Sequence, residues 1–139
     1  MIILDTNVLS ALMRARPDAA VVSWLDRQAA ESIWITSITA LETRFGLALL
    51  PTGRRRRFLE EAFARLLEED LENHVLDFDP AAATAAAALA AGRQRAGRPA
   101  DLRDTLIAGI ALARRGTIAT RNVRHFADLK VPVVNPWMV

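Results

Sequence analysis

Apolar residues occur along the chain in short compact runs that alternate with longer stretches of helical spacing. The runs IIL at 2–4, IWIT at 33–36 and TIAT at 117–120 are typical of buried strands. The clearest amphipathic helix is at 54–73, where an apolar stripe lies opposite a row of glutamates and an arginine. This alternation predicts an α/β domain with a mostly parallel sheet.

Five strands and six helices are predicted, bounded mainly by glycine, proline and capping residues. The predicted strands are Ile2–Leu4, Ile33–Thr36, His74–Phe78, Thr117–Thr120 and Val133–Asn135. The predicted helices are Val8–Arg14, Pro17–Ala30, Ser37–Leu50, Arg54–Asn73, Pro80–Ala96 and Asp101–Arg115. No repeat or linker interrupts this series, so residues 1–139 are predicted to form a single domain.

Composition excludes several classes of protein. Hydrophobic residues make up 52% of the chain and charged residues 24%, which excludes a disordered protein. The absence of cysteine excludes disulfides, thiolate metal sites and a catalytic thiol. The longest small-apolar run, 81–91, is too short to span a membrane. The N-terminus carries Asp5 and no basic leader, so we expect no signal peptide and a cytoplasmic protein.

Polar residues that can bind a cation follow the ends of predicted strands or lie in the helices next to them. Asp5 directly follows the first strand, and Asn122 follows the fourth. Glu42 lies in the helix after the second strand, and Asp104 lies in the first turn of the sixth helix. Because the carboxyl ends of parallel strands share one edge of a sheet, we expect these four side chains to lie at that edge.

Acids gathered at one edge need a compensating charge. Two unit charges about 4 Å apart at an effective dielectric of about 20 repel by roughly 4 kcal/mol. Carboxylate and amide oxygens suit a hard cation, Mg²⁺ or Mn²⁺. Such an ion polarises a phosphate oxygen and activates a bound water, which is the chemistry of phosphodiester hydrolysis.

Taken alone, each of these residues also fits an ordinary structural role. Asp5 and Asp101 are at positions typical of helix caps. Asp101 is also an alternative to Asp104 as a metal ligand. Glu42 fits a capping-box acid, Asp104 the positive end of its helix, and Asn122 a turn. The functional interpretation therefore depends on the set and its order along the chain.

Two further surfaces are candidates for partners. Arginine accounts for every basic residue but Lys130, and the clusters are Arg54–Arg57 and the group Arg93, Arg95, Arg98 and Arg103. These are either solvent-screened or patches for RNA phosphates or for acids of a partner chain. The first helix is predicted to expose apolar side chains to a partner chain: Val8, Leu9, Leu12 and Met13. The neighbours of Glu42 at helical spacing are predicted to face the core: Ile38, Phe45 and Leu49.

Five segments together resemble PIN-domain nucleases, and more narrowly the VapC/FitB-like toxins of toxin–antitoxin pairs. They are LDTNVLS at 4–10, TALETRFGLALLPTGRRR at 39–56, DTLIAGIA at 104–111, TRNVRHF at 120–126 and VVNPW at 133–137. The resemblance covers nearly the whole chain in the family's order. It implies a three-layer α/β/α sandwich with a central parallel sheet, Mg²⁺-dependent endoribonuclease activity, a homodimer and a cognate antitoxin.

The resemblance also assigns site residues. Asp5, Glu42 and Asp104 match the family's three core acids, and Asp5 and Asp104 would be the principal metal ligands. The chain departs from the family at its fourth acid, because Asn122 and His125 stand at the two places where members carry it. We therefore expect a single Mg²⁺ rather than two, with Asn122 available for a water or a phosphate oxygen.

Two other functions compete with this hypothesis. A phosphoacceptor receiver domain is also a small α/β sheet with acids at strand ends, and Lys130 near the fifth strand fits its lysine. A receiver, however, needs adjacent acids after the first strand, where Asp5 stands alone. A PIN-like module that binds RNA or protein without cleaving is the third possibility, because the fourth acid is missing.

Overall fold

The structure is a computed structural model that describes all 139 residues, and its centre is a five-stranded parallel sheet. The strands are β1 (Ile2–Leu4), β2 (Ile33–Thr36), β3 (Val75–Leu76), β4 (Thr117–Ala119) and β5 (Val133–Val134). Their order across the sheet is β3-β2-β1-β4-β5, and every neighbouring pair is parallel. β1 is central, with Ile3 opposite Trp34 on one side and Ile118 on the other.

Six helices connect and cover the strands. They are α1 (Thr6–Met13), α2 (Ala19–Asp26), α3 (Ser37–Leu49), α4 (Arg54–Arg65), α5 (Pro80–Arg95) and α6 (Leu102–Arg114). The predicted α/β class, parallel sheet and number of elements are confirmed. None of the helices combines the length and apolar character that crossing a bilayer requires.

The two faces of the sheet bury two separate apolar clusters. Successive residues of a strand point to opposite faces, so Leu4 enters one cluster and Ile3 the other. Helices α1, α2 and α4 pack on the first face, where Phe63 of α4 is buried. Helices α5 and α6 pack on the second face, where Ile107 of α6 is fully buried. The fold is therefore the three-layer α/β/α sandwich that the resemblance implied.

Aspartates cap four of the helices, α1, α2, α5 and α6. The side chains of Asp18, Asp79 and Asp101 accept hydrogen bonds from backbone N–H groups in the first turns of α2, α5 and α6. These bonds satisfy donors that have no partner within the helix. Capping by Asp101 leaves Asp104, three residues further on, free for another role.

Two predictions about exposed apolar surface were wrong. In α1, Val8 and Leu9 are fully buried because the helix packs against the sheet, and Met13 is also buried, so only Leu12 is left partly exposed to a partner. In α3, Phe45 and Leu49 do not face the core, since their exposed fractions are 55% and 71%. Leu41, one turn before Phe45, is 62% exposed and continues the same face.

Several element boundaries also differ from the prediction. The helix predicted at 54–73 ends as an α-helix at Arg65 and continues as a π-helical turn, Leu66–Asp70. The wider turn, in which Leu71 N–H donates to Leu66 O at 2.8 Å, allows both leucines to be buried. α2 ends at Asp26, four residues earlier than predicted, because a short 3₁₀ turn leads into β2.

Candidate active site

The carboxyl ends of the three central strands lie together at one edge of the sheet. Asp5 follows β1, Thr36 ends β2 and Thr120 follows β4. Helices α1 and α3 both begin at this edge, and their N-caps are Asp5 and Thr36. Asp5 therefore lies at this edge, as predicted. The other two acids, Glu42 and Asp104, are carried by helices α3 and α6.

Asp5 is almost completely buried, with only 5% of its surface exposed, and is held by three donors. Its Oδ1 accepts from the Thr6 backbone N–H at 2.8 Å. Its Oδ2 accepts from Thr120 Oγ1 at 2.8 Å and from Asn7 Nδ2 at 3.2 Å. Burial raises the pKa of the Asp5 carboxyl, with a further contribution from the charge of Asp104, although the hydrogen bonds oppose the shift. Asp5 thus caps α1 and also faces other acids.

Glu42 is tied to α1 rather than to the start of its own helix. Its Oε1 accepts from Thr6 Oγ1 at 3.0 Å, and its Oε2 lies 3.5 Å from Arg103 Nη1 of α6. The capping role is filled by Thr36, whose Oγ1 accepts from the backbone N–H three residues on. Burial raises the pKa of the Glu42 carboxyl, and the charges of Asp5 and Asp104 raise it further.

Asp104 pairs with a residue that was not expected as its partner. His125 Nδ1 lies 2.8 Å from Asp104 Oδ2, a hydrogen bond in which the imidazole donates to the carboxylate. The bond joins α6 to the short 3₁₀ turn Val123–Phe126 after β4. His125 therefore stands where the resemblance places a fourth acid, but it donates a hydrogen bond to Asp104 instead of adding a carboxylate.

The three acids lie close enough to interact, because the charge of Asp104 raises the pKa of the Asp5 carboxyl and the charges of Asp5 and Asp104 raise the pKa of the Glu42 carboxyl. They do not form a preassembled cage, since no group of three or more carboxylate or imidazole side chains is placed to hold a metal ion. Asn122 is exposed, and its side chain makes no hydrogen bond to the acids; only its backbone N–H donates, to Thr120 Oγ1 at 3.0 Å. The donor chemistry, oxygen ligands carrying excess negative charge, fits a hard divalent cation.

A cleft of about 560 Å³ opens beside Asp104 and His125. Its walls come from the segment between α5 and α6, from the first turn of α6 and from the turn after β4. Arg98 and Arg124 line it together with three acids, Asp101, Asp104 and Asp128. Of the arginine group identified in the sequence, Arg93 and Arg98 lie at the cleft, and Arg124 is an additional member.

Hydroxyl and amide groups that support the acids were missed by the sequence reasoning. Thr6, Asn7 and Thr120 bind the carboxylates of Asp5 or Glu42 directly. The signal was present, because LDTN places two of these residues immediately after Asp5 and TIAT ends in the third.

The PIN domain family model matches residues 2–131, a range that contains all of the candidate site residues. The plasmid stability protein StbB of Pseudomonas syringae pv. tomato is 42% identical over 137 residues, covering 99% of each chain. The VapC ribonuclease Y4jK of Sinorhizobium fredii is 38% identical, covering 99% of this chain and 98% of that protein. The solved structure of FitAB bound to the IR36 DNA fragment superposes with a TM-score of 0.89 at 34% identity, covering 100% of this chain and 97% of that one.

Proposed function

Because the chain belongs to the PIN-domain family, we propose that it is the toxin of a toxin–antitoxin pair and acts as a metal-dependent endoribonuclease. The proposal is supported by similarity to proteins named as a VapC ribonuclease and as the toxin FitB of Neisseria gonorrhoeae. The observation that carries it is that Thr6 donates hydrogen bonds to both Asp5 and Glu42, while the charge of Asp104 acts on both of these acids.

Mg²⁺, with Mn²⁺ as a substitute, is the proposed cofactor, held principally by Asp5 and Asp104 with Glu42. The bound ion would supply a Lewis acid for a phosphate oxygen and would activate a water molecule for attack. Thr120 and the Thr6 backbone N–H orient Asp5, and the Thr6 hydroxyl orients Glu42. Because Asn122 and His125 replace the fourth acid, we propose one metal ion rather than two.

Cleavage of labelled RNA by the purified protein tests this function. We expect cleavage that stops with chelator and falls by about a hundredfold or more in Asp104→Asn, since removal of a ligand charge weakens metal binding. The matched control is Asp101→Asn, which removes an acid from the same turn but replaces the cap with another good cap. Equal cleavage by Asp104→Asn and the wild type would contradict the proposal, and harm to growth on expression should follow the same pattern.

The proposed antitoxin contact is an apolar groove of about 500 Å³ between α1, α2 and α4. Its apolar lining includes Leu12, Val22 and Phe58. Its charged lining consists of three acids and two arginines: Asp26, Glu69, Asp70, Arg14 and Arg65. Burial, followed by the charges of Glu69 and Asp26, raises the pKa of the Asp70 carboxyl. The apolar lining suits an apolar helix, and the three acids, which outnumber the two arginines, suit a basic residue carried by that helix. Val22→Glu should abolish rescue by co-expressed antitoxin while the toxin stays folded.

The exposed face of α3 supports a homodimer. Leu41, Phe45 and Leu49 are spaced one turn apart and are all more than half exposed. A stripe of three large apolar side chains on one helix is typical of a surface covered by a partner. We propose that a second copy of the chain covers it.

A binding module without nuclease activity is the second candidate. It is favoured by the exposed, unbonded side chain of Asn122 at the place of an acid and by the absence of a preassembled metal cage. The cleavage experiment separates the two candidates, because a binding module would bind RNA without metal and would not cleave it. No observation favours the phosphoacceptor alternative, since Asp5 has threonine and asparagine rather than acids beside it.

A further inference from the structure

Each carboxylate that lines the cleft beside Asp104 already has a basic partner. Asp128 receives two hydrogen bonds from Arg93, both at 2.9 Å. Asp101 Oδ1 lies 3.6 Å from Arg103 Nε, and Asp104 is bonded to His125. Asp101 and Asp128 are therefore each paired with an arginine, whereas Asp104 has only a hydrogen bond to an imidazole.

Two arginines in the same cleft have no such partner. Arg98 and Arg124 both line the cleft, both are exposed, and neither has a carboxylate oxygen within 4.0 Å. The cleft beside Asp104 therefore presents two guanidinium groups that have no ion-pair partner in the protein. A guanidinium group binds phosphate through two parallel hydrogen bonds, which makes arginine well suited to nucleic-acid backbones.

Both arginines are carried by backbone that is held in place. Gly97 has a φ of +69°, which glycine adopts without strain, and this turn lets the Arg98 N–H donate to Arg93 O at 2.8 Å. Arg93 itself is only 6% exposed, and its Nη2 donates to the carbonyl of His125 at 2.8 Å. One buried arginine thus fixes both the turn before Arg98 and the turn that contains Arg124.

We infer that Arg98 and Arg124 form a phosphate-binding subsite that holds the backbone of single-stranded RNA next to the acids. The inference rests on the proposed function for the choice of RNA. The subsite places the RNA on the α5–α6 side of Asp104, away from the run Arg54–Arg57 at the start of α4. Arg93 has no part in phosphate binding because its guanidinium is already used by Asp128, Thr105 and the His125 carbonyl.

The test measures binding separately from cleavage. The probe is a short fluorescein-labelled single-stranded RNA of mixed sequence, followed by fluorescence anisotropy in chelator and at several salt concentrations. The double variant Arg98→Gln/Arg124→Gln should bind about tenfold more weakly than the wild type at low salt. Its slope of log K against log salt should be smaller by about 1.4, since each lost contact to a single strand contributes about 0.7.

The control is Arg54→Gln/Arg55→Gln, which removes the same charge from exposed positions on α4. It should change neither the affinity by more than about twofold nor the slope by more than a few tenths. Equal losses in the two double variants, or no measurable RNA binding by the wild type, would overturn the subsite. Tighter binding of an acidic peptide than of RNA would overturn it in favour of a protein contact. Continued cleavage by Asp104→Asn would refute the proposed function but not the binding result.

Discussion

At the scale of single residues, Asp5 shows a conflict between stability and function. A carboxylate buried to this degree is costly unless it is fully hydrogen-bonded, and its pKa is raised above the usual 3.8 in spite of three donors. A raised native pKa means that the folded state binds protons more tightly than the unfolded state. The protonated Asp5 therefore contributes fully to the free energy of unfolding below about pH 3.8, and this contribution is lost as the pH rises through the native pKa of Asp5.

Asp5→Asn should consequently abolish RNA cleavage without destabilising the protein at neutral pH. The amide removes the buried charge and still accepts the Thr6 N–H bond, but its NH₂ group cannot accept from Asn7 Nδ2. We therefore expect a free energy of unfolding at pH 7 within about 1 kcal/mol of the wild type. Urea denaturation and the RNA assay measure the two effects. An unfolded or strongly destabilised Asp5→Asn would show that the carboxylate is structural.

Asp128 behaves in the opposite way. Its hydrogen bonds with Arg93 lower the pKa of the Asp128 carboxyl below the usual 3.8. Asp128 therefore stabilises the folded protein above about pH 3.8, and this stabilisation is lost as the pH falls through the lower native pKa. Because the aspartate is half-exposed and the arginine is buried, Asp128→Asn should cost about 1–3 kcal/mol at pH 7. The difference from the wild type should shrink below pH 4. A pH-independent difference in urea denaturation would contradict this account.

At the scale of elements, the exposed stripe of α3 predicts self-association. Leu41→Gln/Phe45→Gln should shift the protein from dimer to monomer in analytical ultracentrifugation, because the variant removes most of the apolar area of that face. Met138→Gln is the control, since Met138 is 82% exposed at the C-terminus and lies outside the stripe. A wild-type protein that is monomeric at high concentration would rule out this interface.

The close packing of α5 on α6 depends on one glycine. A Cβ built on Gly109 would lie 2.7 Å from both Ala82 O and Ala86 Cβ, so Gly109→Ala should destabilise the protein by about 1–3 kcal/mol. Gly92 of α5 has nothing within 4 Å of such a Cβ. Gly92→Ala should therefore raise stability by up to about 1 kcal/mol through helix propensity. Thermal denaturation of both variants checks the pair, and equal effects would contradict the packing argument.

At the scale of the whole molecule, a divalent ion should link the acids that β1, α3 and α6 bring to one edge. Mg²⁺ at about a hundred times its dissociation constant should stabilise the wild type by about 2.7 kcal/mol and should have little effect on Asp5→Asn. The stabilisation should grow as the pH rises, because Asp5 and Glu42 have raised pKa values and must lose protons to bind the ion. Equal Mg²⁺ shifts in both proteins would argue against the site.

The sequence by itself was sufficient for the order of elements, for the parallel sheet and for the acids that approach its edge. Strand runs such as IWIT at 33–36 and caps such as Asp18 act locally, through side-chain periodicity and hydrogen bonds within one turn. The position of Asp5 at the end of a buried strand was likewise a local property, because a charged residue ends an apolar run.

Only the tertiary structure decided which surfaces are free and which charges are paired. Helical spacing shows that Leu41, Phe45 and Leu49 share a face, but it does not show which face of α3 the sheet covers. The apolar residues of α3 that are buried are Ile38, as predicted, and Leu47. Arg93 and Arg98 look alike in the sequence, yet Arg93 is buried against Asp128 of a distant turn and Arg98 is left exposed. Such differences arise from contacts between segments far apart in the chain, which no local pattern encodes.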